Sequence, residues 1–280
     1  MRLPVPLSLA LLAYAMAAPL FAEVVFLDDF DTDGASTDFH WYVRGGNLEE
    51  EKNVKEGNLL LARKDGQEPV ARNSGIWRSF DTVTLGEGEK LRLTIAFSGA
   101  EVESAPFFRI VLADSQSRID SNGGIMAEPA PRFAYVLGLP AGATVSLPEP
   151  GENLGFFEGT SEVAPPADFR IADCLMAFLS PPVAQPVFSD AQKVLESGSY
   201  DNKAVLVWEL TNENGVIVSK GSWTDSKGNQ ADMLDVRAEK MQHFDFNKIG
   251  IGFCVWDAEW ADGSHLAESV EIDSVQLEKF

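Results

Sequence analysis

Alternation of apolar and polar residues recurs along this chain, and no other feature limits its possible folds as much. It is clearest where Leu91, Leu93, Ile95 and Phe97 interleave with Arg92, Thr94, Ala96 and Ser98. A period of two sends successive side chains to opposite faces of an extended strand, so this segment has one dry face. Similar runs are Leu59–Ala62, Phe107–Ala113, Phe133–Leu139, Ala204–Leu210, Gly215–Lys220, Ile249–Trp256 and Ser269–Leu277. Turn formers stand between them, among them Gly86-Glu87-Gly88, Asn122-Gly123-Gly124 and Asn214-Gly215. The last of these separates two alternating runs and predicts a hairpin. Many short strands with hardly any helical periodicity predict an all-β chain, folded as a two-sheet antiparallel sandwich.

One stretch breaks the rhythm. From Pro140 to about Tyr200 the chain carries eight of its 15 prolines, including Pro165-Pro166 and Pro181-Pro182. We expect a proline-rich insertion at about 140–200 in an otherwise single domain spanning 23–280, since loops this long are functional or disordered. Within it, Ser189 with Gln192 predicts a capped short helix ended by Gly198, and Cys174–Leu179 is apolar enough to pack as a strand.

The N-terminus fixes an expected compartment. Met1-Arg2, an apolar run from Leu7 to Ala18 and then Pro19-Leu20-Phe21-Ala22 follow the order of a secretory signal, with cleavage expected after Ala22. No later stretch is apolar for long enough to span a bilayer. A secreted or periplasmic protein is the expectation. The formal net charge of −21 argues against nucleic acid or an anionic membrane as partners, because both would repel it. Export also lets the two cysteines, Cys174 and Cys254, pair. Such a bond would pin the insertion to the non-core face of the Ile249–Trp256 strand, although buried free thiols remain the alternative.

Catalytic signatures are missing: there is no Gly-x-Ser-x-Gly, no phosphate-binding Gly-x-x-x-x-Gly-Lys, no His-Glu-x-x-His and no Cys-x-x-Cys. The three histidines, His40, His243 and His265, have no metal-ligand spacing. Glu271-Ile272-Asp273 begins a paired-carboxylate pattern, but Val275 and Gln276 stand where a second acid would be needed for double displacement.

Asp29-Phe30-Asp31-Thr32-Asp33-Gly34 matches the first half of a calcium loop, with His40 in place of the closing glutamate. The opening Asp28-Asp29-Phe30-Asp31 with Trp41 downstream, and the closing Val270-Glu271-Ile272-Asp273-Ser274-Val275-Gln276-Leu277, resemble the first and last strands of jelly-roll carbohydrate-binding modules and related concanavalin A-like domains. That resemblance implies a jelly roll whose first and last strands are neighbours. It also implies a structural calcium held by Asp29 or Asp31 with Asp273.

A glycan-binding surface needs aromatic faces free for stacking and polar neighbours for hydroxyls. Trp208 shares parity with Leu206 and Leu210 and is expected in the core. Trp256 falls on the parity of Gly250, Gly252 and Cys254, opposite Ile249, Ile251 and Phe253. Trp260 lies in the acidic segment just beyond it, and Trp223 in the polar stretch Lys220–Lys227. The expected ligand-binding set is therefore Trp256, Trp260 and Trp223 with Asp257, Glu259 and Asp262. Its ligand would be a neutral or basic glycan, since no lysine or arginine lies between Cys254 and Lys279 to meet an acidic one. By fold analogy two functions stand close together, a non-catalytic glycan-binding module and a structural or interaction domain of the envelope or matrix. A glycan-active hydrolase or lyase is the third.

Overall fold

The computed structural model describes residues 22–44, 48–62, 74–102, 107–115, 118–123, 133–139, 155–160, 204–224, 228, 230–238, 242–254 and 267–280. Along these residues run β1 (Glu23–Asp28), a 3-10 turn (Ser36–Phe39), β2 (Tyr42–Arg44), β3 (Val54–Lys55), β4 (Asn58–Ala62), β5 (Ser74–Thr84) and β6 (Lys90–Val102). There follow β7 (Phe107–Asp114), β8 (Phe133–Leu139), β9 (Gly155–Thr160), β10 (Ala204–Glu213), β11 (Val216–Thr224), β12 (Gln230–Arg237), β13 (Asp245–Cys254) and β14 (Ala267–Lys279). They form two antiparallel sheets, as the alternation predicts. One has eight strands in the order β12-β11-β10-β6-β14-β4-β3, with β1 also paired to β14, and the other has six in the order β2-β5-β13-β7-β8-β9.

The core fills the space between the sheets. From the eight-stranded sheet come Leu91, Leu93 and Ile95, Leu206, Trp208 and Leu210, and Ile272, Val275 and Leu277, all fully buried. Ile76, Ile110, Leu112, Tyr135, Leu137, Ile249 and Ile251 face them from the six-stranded sheet. Trp208 satisfies its indole N–H on Ser219 Oγ at 2.9 Å, so the ring is buried without an orphaned donor. The hairpin forms as expected: Asn214 (φ 55°) and Gly215 (φ 79°) supply the two positive-φ positions that a type I′ turn requires. Asn212 fastens it, accepting from Gly215 N–H at 2.9 Å and donating to the Leu85 carbonyl at 3.0 Å.

Six strands lie outside the alternating runs: β1, β2, β3, β5, β12 and β9. The last lies inside the proline-rich stretch and extends the six-stranded sheet beside β8. The expected helix at Ser189–Gly198 and the apolar run Cys174–Leu179 lie outside the described residues.

The first and last strands are neighbours, as the resemblance implies. β14 has a register shift between Ile272 and Ser274, which makes Asp273 the bulged residue and lets Ile272 and Val275, three apart, both face inward. The same bulge divides one edge of β14: β4 pairs Ser269 to Ile272, and β1 pairs Val275 to Lys279.

Candidate functional site

The end of β1 and the loop after it carry the acidic turn, and here the structure reassigns its roles. Asp28, the last residue of β1, is turned inward beside Val275 and is only 8% exposed. Arg78, on β5 of the opposite sheet, reaches through the core to donate to Asp28 Oδ2 at 2.8 Å and also to the Phe39 carbonyl. Trp41 donates its indole N–H to the same oxygen at 2.8 Å, and the guanidinium lies 4.4 Å from the centre of the Phe26 ring. Burial pushes the Asp28 carboxyl above its ordinary value, against the pull of Arg78 and Trp41. Burial likewise pushes the Arg78 guanidinium down, against the pull of Asp28. Both shifts have the sign of charges taken out of water at a cost.

The flanking acids do local work. Asp33 accepts from Glu56 N–H at 2.8 Å, Asp38 from Ala35 N–H at 3.1 Å, and Asp31 from the Thr32 hydroxyl at 3.1 Å. Phe30, in the middle of the apparent calcium loop, is fully buried against Phe39 in the left-handed conformation. Among the described residues no three of His, Cys, Asp and Glu gather into a group that could hold a metal ion. The calcium expected on Asp29 or Asp31 with Asp273 is not shown: Asp273 is the bulged residue of β14, and the cation that meets Asp28 is a guanidinium.

The parity read for β13 holds through Gly252. Ile249 and Ile251 enter the core, while Gly250 and Gly252 lie on the other face of the six-stranded sheet, in register with Trp77 and Gly75. That other face is not open. Trp77, Val111, Ala113 and Lys248 all lie on it and are 1% exposed or less. Trp77 lies across Gly250 so closely that a Cβ built there would stand 2.6 Å from three of its ring atoms. Residues 118–123 cover part of the face: Ile119 N–H donates to Ser79 Oγ at 2.8 Å, and Asn122 accepts from Val43 N–H at 2.9 Å.

Three of the six tryptophans, Trp41, Trp77 and Trp208, are fully buried and offer no stacking face. Trp223 pairs in backbone register with Leu206 and Ala231. Trp256, Asp257, Glu259, Trp260 and Asp262 lie outside the described residues, as does Cys174. The two tryptophans and three acids fall in residues 255–266, which connect β13, in the six-stranded sheet, to β14, in the eight-stranded one.

One cluster had no signal in the sequence. His243 Nε2 stands 3.2 Å from Asp114 Oδ2, whose other oxygen accepts from Asn247 at 3.1 Å, and Asn247 also bridges to both backbone groups of Ser115. His243 and Asp114 stand 129 positions apart, so no local spacing could have found it.

The chain matches no protein-family model, and no curated protein matches it in sequence. Solved structures do resemble it in fold. Lectin I-B4 of Griffonia simplicifolia, in its metal-free form, superposes with a TM-score of 0.52 over 91% of this chain and 99% of the lectin, at 10% identity. Basic winged bean lectin, solved with Tn-antigen, gives 0.50 over 93% of this chain and 99% of its own at 9% identity. Arcelin-5, a lectin-like defense protein of Phaseolus vulgaris, gives 0.50 over 92% and 98% at 11% identity. At such identities the likeness shows the fold alone: a two-sheet antiparallel β-sandwich like that of these lectins.

Proposed function

We propose that this is an exported, non-catalytic glycan-binding protein whose ligand stacks on Trp256 or Trp260. Asp257, Glu259 and Asp262 accept hydrogen bonds from its hydroxyls, and Trp223 is a further contact. The observation that carries the reading is the likeness in fold to lectins over more than nine-tenths of the chain, one of them solved with Tn-antigen. It supports function by analogy of fold alone. The burial of Trp41, Trp77 and Trp208 supports the choice of residues, because it removes them as platforms. The acidic segment favours a neutral or basic glycan over a uronate or sulfated one.

Titration of the purified protein against neutral, amino-sugar and acidic polysaccharides tests this, with Trp256→Ala and Trp260→Ala compared after both are shown to fold. Neutral or basic glycans should bind, and at least one substitution should abolish binding. Tight binding of an acidic polymer, or neutral-glycan binding untouched by both substitutions, would defeat the site. No binding to any glycan would favour a structural domain instead.

A further inference from the structure

β1 holds two registers at once. Against β14, Glu23 pairs with Lys279 and Val24 with Glu278, but Phe26 pairs with Leu277, Leu27 with Gln276 and Asp28 with Val275. The pairing has slipped by one residue at Val25, where the strand bulges. Below the bulge, the slip sends Phe26 and Asp28 to the core, beside Leu277 and Val275, and leaves Leu27 54% exposed. Val24, above it, is 53% exposed.

Hydrophobicity does not choose this arrangement. Val24-Val25-Phe26-Leu27 is apolar throughout, so either parity finds apolar side chains to bury. If the register of Glu23 and Val24 simply continued, Val25 would meet Leu277 and Leu27 would meet Val275, both inward. Phe26 and Asp28 would then face water. That alternative buries a valine and a leucine in place of a phenylalanine and removes a carboxylate from the core. It requires only that the bulge migrate past Asp28.

What excludes it is Arg78. This residue occupies a core-facing position of β5, beside Ile249 of β13, and its charge has to be met inside the sandwich. The meeting is incomplete even so, since Nε finds no acceptor among the described residues. With Asp28 turned outward, the guanidinium would lose its carboxylate, and the Trp41 indole N–H would lose its acceptor as well. We infer that the Asp28–Arg78 pair is a register lock: it sets which face of β1 is buried, and through Asp28 it fixes the loop that seats Phe30 and Trp41. Buried ion pairs contribute little net stability, and setting register is their best-attested use.

Hydroxyl-radical footprinting of the full chain reads the register without altering the strand. In the wild type, Leu27 and Val24 should be oxidised and Phe26 protected. In Arg78→Met the bulge should move, so that Phe26 gains reactivity several-fold and Leu27 loses it while circular dichroism stays that of a folded β protein. Asp28→Asn/Arg78→Met, with no charge to bury, should show the same exchange and serves if the single variant fails to fold. Asp28→Leu/Arg78→Met restores an apolar residue next to Phe26 and should keep the wild-type pattern. If Arg78→Met or Asp28→Asn/Arg78→Met folds with Phe26 still protected and Leu27 still reactive, the lock is refuted. It is refuted too if both variants unfold while Asp28→Leu/Arg78→Met folds, because an unlocked strand should re-seat and not melt the sandwich.

Discussion

The two sheets of this sandwich present different outer faces. On the eight-stranded sheet the non-core positions of β6 and β10 hold Arg92, Thr94, Val207, Glu209 and Thr211, all partly exposed. An ion-pair network crosses them: Glu209 meets Arg92 at 2.7 Å and Lys90 at 3.1 Å, and Arg92 lies 4.5 Å from the centre of the Phe280 ring. The six-stranded sheet has Trp77, Val111, Ala113 and Lys248 at equivalent positions, and they are as buried as the core. One sheet is a half-buried surface. The other is buried on both faces along Gly75–Trp77, Ile110–Ala113 and Lys248–Gly252, so those stretches have no wet side to show in the sequence.

The sharpest way to break this contrast is to cut into both outer faces. Trp77→Ala should cost about 3–5 kcal/mol, the range for a large aromatic in a true core. Thr94→Ala, on the non-core face of β6, should stay within about 0.5 kcal/mol. Urea unfolding of the two variants measures both. A Trp77→Ala cost below about 1 kcal/mol would mean that the face is only loosely covered.

Next in size is the reverse operation, adding volume where the layer is tight. Gly250→Ala places a methyl group against the Trp77 ring, so we expect a loss of about 1–3 kcal/mol from overpacking. Combining it with Trp77→Ala should cost less than the sum of the two, because the space then exists. Additive losses would show that the ring does not lie where Gly250 needs it.

This difference between the sheets also explains what could be read from the sequence. β6, β10 and β14 were legible because polar residues mark their outer positions. β5 was not, since Ile76 and Trp77 are both buried and the next inward position is Arg78, a residue that no hydrophobic pattern assigns to a core. The acidic turn was legible as a turn, but the role of its first carboxylate was not. Spacing along the chain could not show that Asp28 faces a guanidinium 50 residues away. On the strand before the proposed glycan site, the parity of β13 was read correctly through Gly252, yet parity says nothing about what covers the outer face.

Smaller effects come from the wet face. Glu209→Gln removes the centre of the network with Lys90 and Arg92, whose side chains are 31% and 35% exposed. Solvent screens these charges, so the expected loss is at most about 1 kcal/mol and should shrink in high salt. A salt-insensitive loss of several kcal/mol would place this network in the buried class.

The finest comparison sets the two kinds of ion pair against each other in acid. Burial raises Glu209 toward neutrality, but its bonds to Arg92 and Lys90 outweigh burial and hold it below the ordinary 4.5. A carboxylate lowered in the folded state stabilises above its unfolded value, and that contribution is lost as pH falls through the folded one. Glu89, held low mainly by its bond to Lys279, behaves the same way. Asp28 has the opposite sign. Its folded value is raised above 3.8, so its contribution is fully present below 3.8 and is lost as pH rises through the folded value. On acidification, then, the surface network gives up stability while Asp28 recovers some. Melting temperatures recorded from neutral pH down to about 3.5 should therefore fall less steeply in Glu209→Gln than in the wild type, and more steeply in Asp28→Asn. The starting stability of Asp28→Asn will be lower because Arg78 is left without its carboxylate, but the slope reports the proton alone. If Asp28→Asn flattens the acid limb, the Arg78 attraction outweighs burial and the inner pair behaves like the outer one.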